Sequence, residues 1–359
     1  MRSFIFLTPL WLSAVISLAA STAIAESSFL FTSLLEDKTI VTYTRDMETG
    51  VLTLQAKTEC PAEPGFLAVS PDRRTLFVAF RSSGELASYR IHASGTLNLI
   101  GSVPGGEDPC YLEIDKAGRF LLSAYYVANK VTVHELSADG KISEQPLQSI
   151  NTARNAHAIT LNAANTNAFV PHTGGNRIVQ FRFDRKTGRL TGNSPDHLAL
   201  SDGDEPRHIA VHPQDRWAYA NNEAGDSLNV LHISPAGTLE RVQKAATIPG
   251  DFPKADNTTA RCEMTPDGRF VYVANRGHHS IAGFAIDQQS GRVTSLGQFA
   301  TEKTPRSFTI SADSRFLYAA GQDSGKIAQY RIAADGKLVR TETYAPGDMP
   351  WCVLSVDLP

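Results

Sequence analysis

Cysteine is scarce in this 359-residue chain, and no two of its four cysteines fall at CxxC or zinc-ligand spacing. That leaves out zinc-ribbon and thioredoxin-like chemistry. A Walker loop, a dinucleotide fingerprint, a GxSxG elbow and an acidic calcium loop are also missing. Nucleotide-dependent, serine-esterase and EF-hand functions therefore have no motif to rest on, and neither a metal nor a cofactor is expected. Beyond residue 25 no apolar run approaches the roughly 18–20 residues a membrane helix needs. Excess charge of one sign is lacking too: the formal net charge is -3, which gives no electrostatic case for nucleic acid or an anionic membrane surface.

One apolar stretch does stand out. Arg2 precedes an apolar run from Phe4 to Ala20, followed by Ala23, Ile24 and Ala25 ahead of Glu26, which is the layout of a cleavable secretory signal. Residues 1–25 are expected to be a leader and 26–359 the mature domain, periplasmic or secreted. No cysteine follows the run at a lipobox position, so no membrane attachment is expected after cleavage. Cys60, Cys110, Cys262 and Cys352 would then sit in a compartment that permits pairing. They are expected to be free and buried, with Cys60 and Cys110 the pair if one bridge forms.

The dominant feature of the chain is a repeat. Six segments align: PGFLAVSPDRRTLFVAFR from Pro64, PCYLEIDKAGRFLLSAYY from Pro109, AHAITLNAANTNAFVPHT from Ala156, PRHIAVHPQDRWAYANNE from Pro206, TARCEMTPDGRFVYVANR from Thr259 and PRSFTISADSRFLYAAGQ from Pro305. Each reads as a short apolar strand, a turn rich in Pro, Asp, Gly or Asn, and a second apolar strand. An alternating hairpin with an Asp-Gly or Ser-Gly turn follows, as in KIAQYRIAADGKLVRT. Four antiparallel strands per repeat, A to D from the centre outward, make a propeller blade. A seventh blade is divided between the termini: residues 28–57 supply strands B, C and D, and MPWCVLSVD at the chain end supplies only A. The sequence thus predicts an all-β, seven-bladed β-propeller closed by pairing the C-terminal strand with the N-terminal ones, leaving no open sheet edge. With no edge to cover, a monomer is expected.

Starts of A strands, ends of B strands and the D-to-A connections share one rim, where converging loops on a rigid frame make a binding mouth. The second A-strand positions around the ring are Gly65, Cys110, His157, Arg207, Ala260, Arg306 and Trp351. The corresponding B-strand ends are Arg81, Tyr126, Thr173, Glu223, Arg276 and Gln322. One rim thus collects four arginines, one histidine and a single carboxylate. The longest connections enter blades 4 and 5, GDFPKADNTTA from Gly250 above all, and wall the sector of His157, Arg207, Glu223 and Arg276. Clustered guanidinium groups suit a carboxylate, phosphate or developing oxyanion. Glu223 is expected to stay ionised among them and His157 to titrate near neutrality. His278 and His279 read as solvated turn residues, and His212 as part of a turn on the opposite face.

The stretches EPRHIAVHP, YANNEAGDSLNV, NTTARCEMTPDGRFVYVANRGHHSIAGF, TPRSFTISADSRFLYAAGQ and the closing Pro-Trp resemble the seven-bladed lactonase propellers, the group of bacterial 6-phosphogluconolactonase and fungal carboxy-muconate cyclase. The resemblance covers essentially the whole chain after residue 25. His157, Arg207, Glu223 and Arg276 fall where that family is thought to carry its site. Arg261 stands where relatives usually have an acidic residue, and Tyr125-Tyr126-Val127 where they often have Asn-Tyr-Gly. The resemblance implies a metal-independent lactonase opening an anionic sugar or organic-acid lactone. In it, Arg81 and Arg306 would hold the substrate's anion with Tyr126 and Gln322 beside them, Arg207 and Arg276 would stabilise the oxyanion, and Glu223 or His157 would activate water. A non-catalytic propeller binding a small anion or a protein, and a cyclase forming a lactone from a muconate-like diacid, are the alternatives.

Overall fold

The computed structural model describes Met1 and residues 27–359; the expected leader otherwise lies outside the described residues. Seven four-stranded antiparallel sheets surround one axis, and the repeat boundaries read from the sequence are those of the sheets. Closure is as expected. The C-terminal strand Pro350–Asp357 pairs antiparallel with Ser28–Leu34, from Ser28 opposite Asp357 to Ser33 opposite Cys352. Buried Arg45 fastens this seam, donating from Nε to Ser28 Oγ at 2.6 Å and from Nη2 to Asp357 Oδ1 at 2.8 Å.

The core lies between blades rather than on the axis. Among the described residues, the buried apolar side chains fall into seven clusters, each joining two neighbouring blades. Strands A to C are hidden on both faces, which is why they read as nearly continuous apolar runs such as TLFVAF and FVYVAN. The outer D strands are largely open to solvent, as in Leu338–Tyr344, where only Leu338 is buried.

A second repeating contact explains the glycine of the C–D turn. Gly50, Gly95, Gly140, Gly188, Gly237, Gly291 and Gly336 all have positive φ, and each lies so close to a B-strand side chain of the preceding blade that a Cβ would collide with it: Phe316, Phe29, Thr75, Phe120, Asn167, Trp217 and Phe270 respectively. Three of these turns are latched further, their carbonyls accepting from buried tyrosines: Tyr318 to Gly50 at 2.6 Å, Tyr219 to Gly291 at 2.9 Å and Tyr272 to Gly336 at 2.7 Å.

The innermost strands carry the feature that builds the site. Register between strands A and B slips by one residue near the rim in six blades, leaving Gly65, Cys110, Arg207, Arg306 and Trp351 without a partner across the ladder and an equivalent slip between Thr259 and Cys262. An extra residue of this kind bends the strand and re-aims its side chain. Blade 3 departs from the pattern. Its inner strand is reduced to Thr160–Leu161 and one bridge, Ala156 to His172. Pro171 accepts from the His157 N–H at 3.0 Å but has no N–H to return, so the ladder thins there.

The cysteines are all free, as expected, with Cys110, Cys262 and Cys352 buried and Cys60 half-buried. Cys110 points its thiol inward, within 3.4–3.5 Å of the carbonyls of Ala124, Ala156 and His157, whereas Cys60 lies between the outer strand of blade 7 and the start of blade 1, its thiol facing the Thr58 carbonyl. No helix among the described residues is long and apolar enough to cross a membrane.

Candidate active site

At the rim the bulged positions converge on a narrow cavity of about 30 Å³, lined by Arg81, Cys110, His157, Arg207, His208, Arg306 and Trp351, with Phe66 and Arg261 below. Bulging explains why successive residues reach the axis together. Arg207 with His208, and Trp351 with Cys352, line the same space, where an unbroken strand would send one of each pair to the opposite face. The floor is a stack of rings: Phe66 on Tyr111 at 4.3 Å, Tyr111 against His208 at 5.3 Å. Beyond it lies a separate mouth of about 350 Å³, lined in part by Tyr111, Glu113 and Arg261.

The four guanidinium groups differ in their partners. Arg207, 2 % exposed, donates from Nη1 to the Ala260 carbonyl at 2.6 Å and to His208 Nε2 at 3.1 Å, and its Nε lies 3.6 Å from Glu223 Oε2. Burial first, and then Arg276, lower its pKa to about 10, with Glu223 opposing. Arg276 donates to Glu223 Oε1, so Glu223 ties two arginines together. Arg81 is held bidentately by Asp108, Nε to Oδ1 at 2.6 Å and Nη2 to Oδ2 at 2.8 Å. Arg306 lies over the Trp351 ring, 3.6 Å from its centroid, and makes no ion pair or side-chain hydrogen bond among the described residues. Its pKa is held well below the usual arginine value by burial and by Arg207, Arg81 and Arg276.

His157 does not titrate near neutrality as the sequence suggests. Burial, and secondarily Arg207, Arg81 and Arg306, push its pKa well below 6.5, because a second positive charge would be desolvated among three existing ones. Its Nδ1 is sealed off without a partner, leaving Nε2 as the nitrogen open to the cavity. The ring packs edge-on to Tyr126 at 5.4 Å and tilted against His208 at 5.3 Å.

His157, Arg207, Glu223, Arg276, Arg81, Tyr126 and Arg306 are therefore brought together. Gln322 is not: its amide reaches only Asp323, at 3.5 Å. Two participants escaped the sequence reading. Asp108 makes a second carboxylate at the rim, one residue before the inner strand Pro109–Ile114 and outside the two positions counted per blade. His208 is missed because only the second residue of each A strand counts there as facing the rim; the bulge at Arg207 brings the third in as well. Of the turn histidines, His278 is half-buried, its Nδ1 2.8 Å from Ser280 Oγ and its ring edge-on to Phe252 of the long connection at 4.7 Å. Arg261 points below the floor, paired with Glu263 at 2.9 Å. Among the described residues no group of three or more His, Cys, Asp or Glu is placed to hold a metal ion.

A seven-bladed propeller with a blind, arginine-lined cavity at one end of its axis is the class these features define. Comparison with known proteins narrows it. Residues 29–355 match the family described as Lactonase, 7-bladed beta-propeller, and this chain belongs to that family of lactone-hydrolysing enzymes. It is 33 % identical over 308 residues to the 6-phosphogluconolactonase of Serratia proteamaculans, covering 85 % of this chain and 92 % of that one. To the Yersinia pestis enzyme of the same name it is 32 % identical over 307 residues, covering 85 % and 91 %. The periplasmic gluconolactonase of Pseudomonas aeruginosa superimposes with a TM-score of 0.85 over 93 % of this chain and 100 % of that one, at 22 % identity, a likeness of fold.

Proposed function

We propose that this protein is an exported hydrolase of a sugar or organic-acid lactone, working at the arginine-lined cavity without a metal. The observation that carries the reading is the pairing of an uncommitted donor set with a neutral base. Among the described residues Arg306 has no acid partner and Arg207 keeps Nη2 free of protein bonds, and His157, held neutral by burial and the neighbouring arginines, lines the same cavity. A space of about 30 Å³ admits a carbonyl oxygen or a water but not a sugar ring. The ring would rest above it, against Trp351 and Tyr126.

In this arrangement the lactone carbonyl points inward. Arg207 Nη2 donates to the oxygen as it becomes an oxyanion, the step at which fixed donors lower a barrier most. His157 Nε2 accepts the proton of the attacking water. Glu223 is less suited to that task, since its two oxygens face Arg276 and Arg207; it orients the two guanidinium groups. A base as weak as His157 gains strength in the complex, because a bound anion offsets the guanidinium charges that depress it. Collapse of the tetrahedral intermediate expels the ring oxygen, which takes the proton from His157 and leaves a hydroxy acid. Export is supported by the Arg2, Phe4–Ala20 and Ala23–Ala25 pattern, and the fold neighbour named a periplasmic gluconolactonase accords with it.

The test is hydrolysis of a lactone panel by protein beginning at Glu26, with EDTA present, followed by pH-stat. Turnover above the spontaneous rate is expected, with kcat/KM falling on the order of 100-fold or more in His157→Ala and in Arg207→Met, as loss of an oxyanion donor or general base does elsewhere. Binding of sugar acids without any turnover would instead make this rim a binding site.

A further inference from the structure

Arg81 and Arg306 are placed like the two arms of a phosphate clamp. Both guanidinium groups lie against the indole of Trp351, at 5.8 and 3.6 Å from its centroid, and both line the cavity. Two forks converging on one point are what a phosphomonoester dianion requires. One arm is already committed. Asp108 occupies the Nε–Nη2 edge of Arg81 through two short parallel bonds, leaving Nη1 as its one wholly unengaged nitrogen among the described residues. The geometry is built in rather than incidental. Asp108 takes a left-handed backbone conformation, φ 57°, its carbonyl accepts from the Tyr126 N–H at 3.1 Å, and its side chain is only 16 % exposed.

The charge balance points the same way. Around the cavity stand Arg81, Arg207, Arg276 and Arg306 against Asp108 and Glu223, leaving two positive charges unmatched. One is matched by the oxyanion that develops during hydrolysis, and one remains for a charge on the substrate itself. A dianion would exceed this and would lie beside the Asp108 carboxylate.

We propose that Asp108 is a specificity-determining residue that makes the site selective for lactones that are uncharged or carry a single carboxylate, and turns away phosphorylated ones. The proposal rests on the lactonase reading above, and it concerns a residue that touches Arg81 rather than the reacting atoms. It separates this chain's guest from the phosphorylated lactone named for its relatives.

Binding of the two product acids tests it independently of turnover. Gluconate and 6-phosphogluconate are titrated by calorimetry into the protein beginning at Glu26, its Asp108→Asn variant, and the Asp108→Asn/Arg81→Ala double variant. The unaltered protein should bind gluconate at least ten-fold more tightly than 6-phosphogluconate. Asp108→Asn should strengthen 6-phosphogluconate at least ten-fold while moving gluconate by less than three-fold, and removing Arg81 as well should abolish the gain. Tighter binding of 6-phosphogluconate by the unaltered protein overturns the proposal, whether or not the variants fold. Binding of neither acid, an equal effect of Asp108→Asn on both, or a gain that survives loss of Arg81 overturns it too. Lactone turnover without the preference would leave the lactonase reading standing and end this inference alone; the preference without turnover would do the reverse.

Discussion

His208 shows how much one side chain can decide. Its Nε2 accepts from Arg207 Nη1 at 3.1 Å, so its proton must sit on Nδ1, which is enclosed without a partner. Burial, then Arg207 and His157, hold its pKa well below 6.5, and the neutral ring is what keeps Arg207 turned toward the cavity. His208→Phe preserves the ring contact with Tyr111 but removes the acceptor. It should lower kcat about ten-fold or more with KM changed less than three-fold, since a donor to the oxyanion acts mainly in the transition state. His208→Gln, which can offer its amide oxygen at the same place, should restore most of the loss. Steady-state kinetics of the two variants check this; equal loss in both would reduce His208 to packing.

Among the elements, the C–D turn and the closing strand are most exposed to test. Gly336 has φ +83° and sits on Phe270 of the preceding blade. Gly336→Ala must bear both left-handed strain and overpacking, together costing about 2–4 kcal/mol, and chemical denaturation should show a midpoint shift of that size. A comparable glycine without the contact, Gly203, has φ +77° with nothing near its Cβ position and should cost only about 1–2 kcal/mol as alanine. Removing Pro350–Pro359 strips the inner strand from blade 7 and bares the edge Ser28–Leu34, whose residues are all buried. An unpaired apolar edge of that length invites association, so the truncated chain should be recovered as aggregate by size-exclusion chromatography. Arg45→Met tests the seam more gently, leaving the strands in place without the bonds to Ser28 and Asp357.

For the whole molecule, buried histidines set the pH response. His157 and His208 have pKa values well below 6.5, and burial lowers that of His172 to about 4. Below pH 6.5 the unfolded chain takes up protons at these three sites that the native state refuses, so stability falls as pH falls. Glu113 opposes them: burial raises its native pKa from 4.5 to about 7, so the native state binds this proton first and gains stability with acidification. His134 and His212 are lowered by burial as well, so the protons the unfolded histidines take up outnumber the single opposing proton of Glu113, and stability falls from pH 6.5 toward 5. Denaturant unfolding at pH 7, 6 and 5 should show the midpoint dropping steeply across that interval, and His172→Asn, which removes one contributor, should shallow it. A flat or rising profile would contradict the burial of these rings in the neutral form.

Blade number, strand order and ring closure could be read from the chain because they rest on local signals: apolar runs of strand length, turn residues between them, and a terminal strand with no partners in its own segment. His157, Arg207, Glu223 and Arg276 were legible for the same reason, as fixed positions in a repeat. What the tertiary structure alone decided is which of these charges are spent on one another. Asp108 reaches Arg81 from the next blade, and no periodicity within a strand records a pairing across 27 residues. A one-residue bulge, invisible in composition, put His208 beside Arg207 in the same cavity. The same packing kept Cys60 from Cys110 and left His157 neutral, because desolvation and the sum of neighbouring charges are properties of the assembled ring and of no segment of it.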